Sequence, residues 1–400
     1  MGMKTVIFGG TFNPVHMGHI AMIKLAMKKL KPDKLIMMPA HIPPHKRAHN
    51  LAPDSARLEM CRIAAKDIPG VRVSDYELKA GGKSYTINTL ESYHAAHPSE
   101  QLCFLMGSDM LESFLGWYKA DRILELSSIA CVSRSCEDSL RIQASAERIR
   151  SAGGRVAVIE SDPIEISSTK ARAMFLAFGN SGGAVPKAVE KYILKNKLYN
   201  FDKSKYNKYT EFLSQRLSEK RFIHSRNVAN ESVMLAYLNG YDIDKAYFAG
   251  LMHDCCKELP KESQLELVKR SGYEVTDVEL GAPKTHHGIA AEVYLRENFG
   301  VEDEEILSAV RYHTVAKGGM GMLDKIVYMA DLTSAERDYP DVASIRATTR
   351  RNIDAGLLEA LRFSIRDSVS KSRAIPHLTF EAYNDAAKYV SSEMKAEYRK

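Results

Sequence analysis

The feature that most constrains this chain is a change of hydrophobic period half-way along its 400 residues. KTVIFGG, KLIMMPA, VRVSDYEL, QLCFLMG, SIACVSR and RVAVIES read as strands. Between and after them HIAMIKLAMKKL, PDSARLEMCRIAAK, SYTINTLESYHAAH and AVPKAVEKYILKNKLY carry helical spacing. Strands that alternate with helices imply a parallel sheet covered on both faces. Beyond it, helical patterns run over 208–220, 224–239, 242–256, 261–272, 285–299, 302–313, 322–334 and 349–370, and strand signals nearly vanish. The expectation is an α/β domain over 1–198, a polar, lysine-rich linker over 199–208 (YNFDKSKYNK) and an all-α domain over 209–400.

Composition narrows the class. Hydrophobic residues make up 45% and charged residues 26%, the usual balance of a globular protein, which argues against disorder and fibrous repeats. No 18-residue apolar run is present, so a transmembrane helix is not expected, and nothing in the sequence suggests a membrane partner. The opening MGMKTVIFGGTFNP reads as a strand with glycines and not as a signal peptide. Six cysteines are scattered without a CxxC, which disfavours a disulfide framework and fits a reducing cytoplasm. Residues 1–200 hold 27 Lys and Arg against 19 Asp and Glu. That excess suits an anionic small molecule, but it lacks the dense basic runs of a nucleic-acid binder.

Gly9 and Gly10 end the first strand, Thr11 and Phe12 follow it, and His16 and His19 open the first helix. At the carboxyl end of a parallel strand, glycines let backbone amides approach a phosphate, and the next helix N-terminus favours negative charge. Two imidazoles three residues apart share one side of a helical turn and can stabilise charge on a leaving pyrophosphate. The string GGTFNPVHMGH is neither GxGxxG nor a P-loop. It resembles the HxGH signature of nucleotidyltransferases and, at its full length, the bacterial nicotinate-mononucleotide adenylyltransferases. The resemblance implies a Rossmann-like sheet, an ATP site and His16 and His19 as catalytic groups. A second segment, Ser167, Ser168, Thr169 and Arg172, resembles the family's ISSTxIR motif and completes the implied ATP site, with Ala171 where the family usually has Ile.

For the second substrate, nicotinate mononucleotide, the resemblance implies Lys46 in PAHIPPHK, Tyr85 and Thr86 in SYT, Asp109 after a strand, Trp117 as a stacking ring, and Arg134. Asn88 stands where the family usually has Asp. The implied reaction is adenylyl transfer from ATP, with Mg²⁺ accompanying its phosphates. Whether the acid or the amide mononucleotide is preferred stays open.

The second half carries His224, His253-Asp254, His286-His287, His313 and Asp331, each in or beside an expected helix, and of the histidine pair His287 is chosen because it precedes Gly288. Imidazole and carboxylate suit a divalent cation, iron foremost, then manganese or zinc. The order H…HD…H…H…D resembles the HD phosphohydrolase superfamily. LMHDCCKE, KTHHG, RYHT and GMLDKIVYMADLTSAERDYP narrow the likeness to bacterial HD proteins that split diadenosine tetraphosphate into two ADP. The resemblance implies one metal on His224, His253, Asp254 and Asp331, and a second site on His287 and His313 with Asp254 bridging. It implies Asp254 as the catalytic group that orients a water or accepts its proton, with Lys257 and Arg337 gripping polyphosphate. Hydrolysis of another nucleotide phosphate ester and a nucleotide-sensing regulatory role stay open, as does a homo-oligomer.

Overall fold

The computed structural model describes residues 2–43, 51–133, 138–161, 166–273, 276–280, 282 and 285–397. By packing the chain forms two compact units, Met1–Phe175 with Gly179–Asn200, and Leu176–Phe178 with Phe201–Lys400.

The first unit holds a parallel six-stranded sheet in the order β3-β2-β1-β4-β5-β6. The strands are β1 (Lys4–Gly10), β2 (Lys34–Pro39), β3 (Val71–Val73), β4 (Gln101–Gly107), β5 (Ser127–Val132) and β6 (Val156–Ile159). Alternate residues point to opposite faces and build two cores. Val6, Phe8, Leu35, Met37 and Leu105 pack with Ile23, Met60 and Phe175 of helices Met17–Leu30, Asp54–Ala65 and Ser168–Phe178. Ile7, Ile36, Phe104, Met106 and Ile129 pack with Leu90, Ile123 and Ile142 of helices Thr86–Ala96, Ala120–Leu126 and Asp138–Ser151. The chain reverses direction across the sheet between β1 and β4, and in an open parallel sheet ligands bind at such a switch point. One strand expectation is shortened: VRVSDYEL keeps only Val71–Val73 as strand, because Tyr76–Ala80 turns helical and buries Glu77.

The second unit is helical among its described residues. Helices Glu219–Leu238 and Ile243–Met252 approach closely at Gly250, where a Cβ would stand 2.5 Å from Ser232 Oγ. Helices His286–Phe299 and Glu304–Tyr312 meet at Gly288, where a Cβ would lie 2.6 Å from the Arg311 carbonyl oxygen. The helix expected over 349–370 is two, Val342–Arg351 and Ile353–Ser370, because the Asn352 side chain accepts hydrogen bonds from the amides of Asp354 and Ala355 and starts a new helix. The helix expected over 242–256 ends at Met252, and the helix His377–Glu397 was not expected. No helix is long and apolar enough to cross a membrane among the described residues.

Candidate active sites: a nucleotide cleft and a histidine-aspartate cluster

A cleft open to solvent lies at the carboxyl ends of β1 and β4 in the first unit. Gly9, Gly10, Thr11, Phe12, His19 and Ser168 form part of its wall. Thr86, Asp109 and Trp117 form another part. Gly10 is tight: a Cβ there would meet the Phe12 ring at 3.1 Å. His16 is the N-cap residue of helix Met17–Leu30, and its amide donates to His19 Nδ1 at 3.1 Å. That bond makes Nδ1 an acceptor and leaves Nε2–H of His19 as the donor. The two rings lie 3.6 Å apart, His16 buried behind and His19 in the cleft wall.

The two phosphate-site motifs meet in space. Ser168 Oγ donates to the Pro14 carbonyl at 2.9 Å, and Arg172 Nη1 donates to the Asn13 carbonyl at 2.6 Å. Ser167 caps helix Ser168–Phe178 by accepting from the Lys170 amide, and Thr169 lies in the first turn. Tyr85 precedes helix Thr86–Ala96 and packs against Tyr118, 5.1 Å between centroids. Trp117 packs edge-on to Phe104 and beside Phe114, which fixes its ring in the wall. Lys46 and Arg134 lie outside the described residues.

Two further residues of this unit carry no sequence signal. Arg57 is fully buried and donates to the carbonyls of Thr11 and Ala40, at 2.8 and 2.6 Å, while pairing with Asp54. It ties the turns after β1 and β2 together, yet in sequence it resembles any helical arginine. Glu77 is buried in the cleft wall and accepts from Thr89 Oγ1 at 2.6 Å. Burial pushes its carboxyl above the ordinary range, against hydrogen bonds from Thr89 and Ser84.

In the second unit all six expected ligands converge. His224, His253 and Asp254 form one group of ligand atoms within 4.8 Å of one another, as do His253, His313 and Asp331, and Asp254, His287 and His313. His253 Nδ1 is paired with the Gly250 carbonyl at 2.7 Å and His313 Nδ1 with the Val310 carbonyl at 2.6 Å. A carbonyl only accepts, so each Nδ1 carries the proton and each Nε2 turns a lone pair inward. His253 Nε2 faces His224 Nε2 at 3.3 Å, and His313 Nε2 faces His287 Nε2 at 3.0 Å. Asp254 lies between, 3.0 Å from His287 Nε2. Converging lone pairs beside two buried or half-buried carboxylates form a donor set that fits a divalent cation.

The electrostatics of His253 and His287 agree with that fit. Burial lowers His253 to about 3 and His287 to about 4 despite Asp254 beside them, so both are neutral and able to ligate. Burial also works against His224, but hydrogen bonds with Asp331 and Glu336 prevail and raise it to about 9, so without a cation this ring is charged and must give up its Nε2 proton to ligate one. Asp254 and Asp331 are held well below the carboxylate range: burial opposes this, and the surrounding imidazoles, with Arg337 beside Asp331, overcome it. An ionised carboxylate in this place suits holding a cation or orienting a water. Lys257 Nζ donates to His287 Nε2 at 2.9 Å, Arg337 pairs with Asp331, and Arg221 Nη1 stands 3.5 Å from Asp254. Arg221 joins these cations without having been singled out in the sequence.

Two family models match the chain, Cytidylyltransferase-like over residues 7–174 and HD domain over residues 221–338. A Mycoplasma genitalium protein named probable nicotinate-nucleotide adenylyltransferase/Ap4A hydrolase is 29% identical over 337 residues, 84% of this chain and 89% of its own. A probable nicotinate-nucleotide adenylyltransferase of Caldicellulosiruptor saccharolyticus is 34% identical over 197 residues, 49% of this chain and 99% of its own. A solved structure from Clostridium acetobutylicum, described as a predicted HD superfamily hydrolase involved in NAD metabolism, is 33% identical over 46% of this chain and 97% of its own, with a TM-score of 0.45. The fold and sites thus define a Rossmann-like nucleotidyltransferase sheet followed by an all-α HD domain. The chain belongs to the nicotinate-nucleotide adenylyltransferase family.

Proposed function

We propose that the protein is a bifunctional enzyme. Residues 1–198 transfer adenylate from ATP to nicotinate mononucleotide, giving nicotinate adenine dinucleotide and pyrophosphate. Residues 209–400, after a linker over 199–208, hydrolyse diadenosine tetraphosphate to two ADP. The observation that carries this reading is that one chain assembles both a two-motif phosphate cleft and a six-residue histidine-aspartate cluster. The name of the Mycoplasma genitalium relative, which pairs the same two activities, supports it.

In the first reaction a phosphate oxygen of the mononucleotide forms a bond to the α-phosphorus of ATP, and the bond to pyrophosphate breaks. The nucleophile is already ionised, so catalysis consists of positioning and charge stabilisation. Gly9, Gly10 and Thr11 let backbone approach the phosphates, and Nε2–H of His19 donates to the departing charge, with His16 fixing the ring. Ser167, Ser168, Thr169 and Arg172 hold the triphosphate at a helix start. Mg²⁺ enters with ATP as its counter-ion. Trp117 and Tyr85 border the pyridine ring, with Thr86 and Asp109 beside it. Lys46 and Arg134 keep the roles implied by the motifs.

In the second reaction His224, His253, Asp254, His287, His313 and Asp331 would hold one or two divalent cations, iron first, with manganese or zinc as alternatives. Such ions supply Lewis acidity for attack of water on phosphorus. Asp254 orients the water, and Lys257 and Arg337 take the polyphosphate charge. The test is to incubate the metal-loaded full chain with diadenosine tetraphosphate and resolve the products. ADP alone is expected. ATP with AMP would mean asymmetric cleavage, and an untouched substrate would overturn the hydrolase half. In parallel, dinucleotide formation from ATP with nicotinate or nicotinamide mononucleotide tests the other half, the acid being the expected substrate.

A further inference from the structure

We infer that Glu336 is a positioning residue that fixes His224 so that only Nε2 faces the ion-binding cluster. The inference rests on the metal-binding reading of that cluster. His253 and His313 are each oriented by a backbone carbonyl on Nδ1. His224 is held differently: its Nδ1 is paired with Glu336 Oε1 at 2.5 Å, from a residue 112 positions further along the chain.

Glu336 is itself clamped. Asn227 Nδ2 donates to its Oε2 at 2.6 Å, and Ser334 Oγ donates to its Oε1 at 2.7 Å. Asn227 lies three residues after His224 on helix Glu219–Leu238, so one helical face supplies both the imidazole and a clamp for its partner. Both carboxylate oxygens are therefore engaged, and the carboxylate plane is set. On the other edge of the ring, His224 Nε2 stands 3.0 Å from Asp331 Oδ1. One short segment, from Asp331 to Glu336, thus grips the imidazole from both nitrogens.

The consequence is chemical as well as geometric. A carboxylate accepting Nδ1–H fixes the tautomer and raises the basicity of Nε2 toward a cation. It adds negative charge beside the cluster without competing for the ion, because Nδ1 and Nε2 point away from each other. Neither the sequence motifs nor the shared ligand set assigns this role to Glu336.

The experiment is a chelator-competition measurement of Mn²⁺ affinity on the full chain, for wild type, Glu336→Gln and Glu336→Ala, with circular dichroism of each metal-free protein. Glu336→Ala should lose about 10–100-fold in affinity. Glu336→Gln keeps an oxygen for Nδ1–H but no charge and should fall between. The Glu336 side chain is 33% exposed, so added formate should restore affinity to Glu336→Ala, which a packing defect would not allow. If Glu336→Ala does not fold, loss of affinity in folded Glu336→Gln supports the role. Wild-type affinity in either folded variant, or equal losses without formate rescue, would overturn it. A wild type that binds no Mn²⁺ would instead defeat the metal reading, and this inference with it.

Discussion

His19 donates from the nucleotide cleft wall because one hydrogen bond, from the His16 amide to Nδ1, decides its tautomer. Removing such a donor from a developing charge costs about 2.7–4 kcal/mol of transition-state stabilisation. His19→Ala should therefore lower kcat for dinucleotide formation by about 10²–10³-fold at saturating substrates, followed by pyrophosphate release. Turnover within a few-fold of wild type would remove the assignment. Glu77 offers a pH test. Its folded carboxyl titrates above its ordinary 4.5 because it is buried, so the unfolded chain releases that proton first. The stability tied to this group is complete below the ordinary value and is lost as pH rises through the folded one. Glu77→Gln should gain on wild type between pH 4 and pH 7 in thermal unfolding. An equal loss at both pH values would contradict the burial argument. Of these two residues only His19 was legible in the sequence, because it sits in a dense motif. Glu77 lay in a stretch read as strand, and its burial is a tertiary fact.

At the scale of elements, both sites depend on close approaches that sequence marks faintly. The pairing of Ser168 with Pro14 and of Arg172 with Asn13 spans more than 150 residues, and the sheet order brings the two turns together. In the helical unit, Gly288 lets helix His286–Phe299 lie against the Arg311 carbonyl, placing His287 opposite His313. A methyl group there must push backbone, and overpacking of this kind costs about 1–3 kcal/mol. Gly288→Ala should lower the unfolding midpoint and, by parting His287 from His313, reduce bound metal measured by elemental analysis. Undiminished metal content with normal stability would show that the approach is not needed. The helices were legible through their period, and most boundaries shifted by only a few residues. The break at Asn352 was missed because its cap interrupts a continuous apolar pattern that period alone cannot divide. The short β3 was overextended for the opposite reason, since VRVSDYEL alternates well enough to pass for one strand.

At the scale of the whole molecule, the two sites lie in different compact units and call on different chemistry. Protein stripped of divalent ions, freed of chelator and then given Mg²⁺ with ATP should still make dinucleotide. It should hydrolyse diadenosine tetraphosphate only after Fe²⁺ or Mn²⁺ is restored. Loss of both activities, or of neither, would contradict the division of labour. Because an ion held only by the folded cluster stabilises the folded state, added metal should raise the unfolding temperature, adding about 2.7 kcal/mol of stability at 100 times Kd. The amino-acid sequence by itself determined the two classes of fold and the order of the strands along the chain, because period is a local property, and its motifs carried the resemblance that implied the six candidate ligands. The tertiary structure alone decided which strands are neighbours, that Arg57 and Glu77 are buried, and that Glu336 meets His224. Those are contacts between residues far apart in the chain, and no local pattern of side chains records which distant group will fill the space beside it.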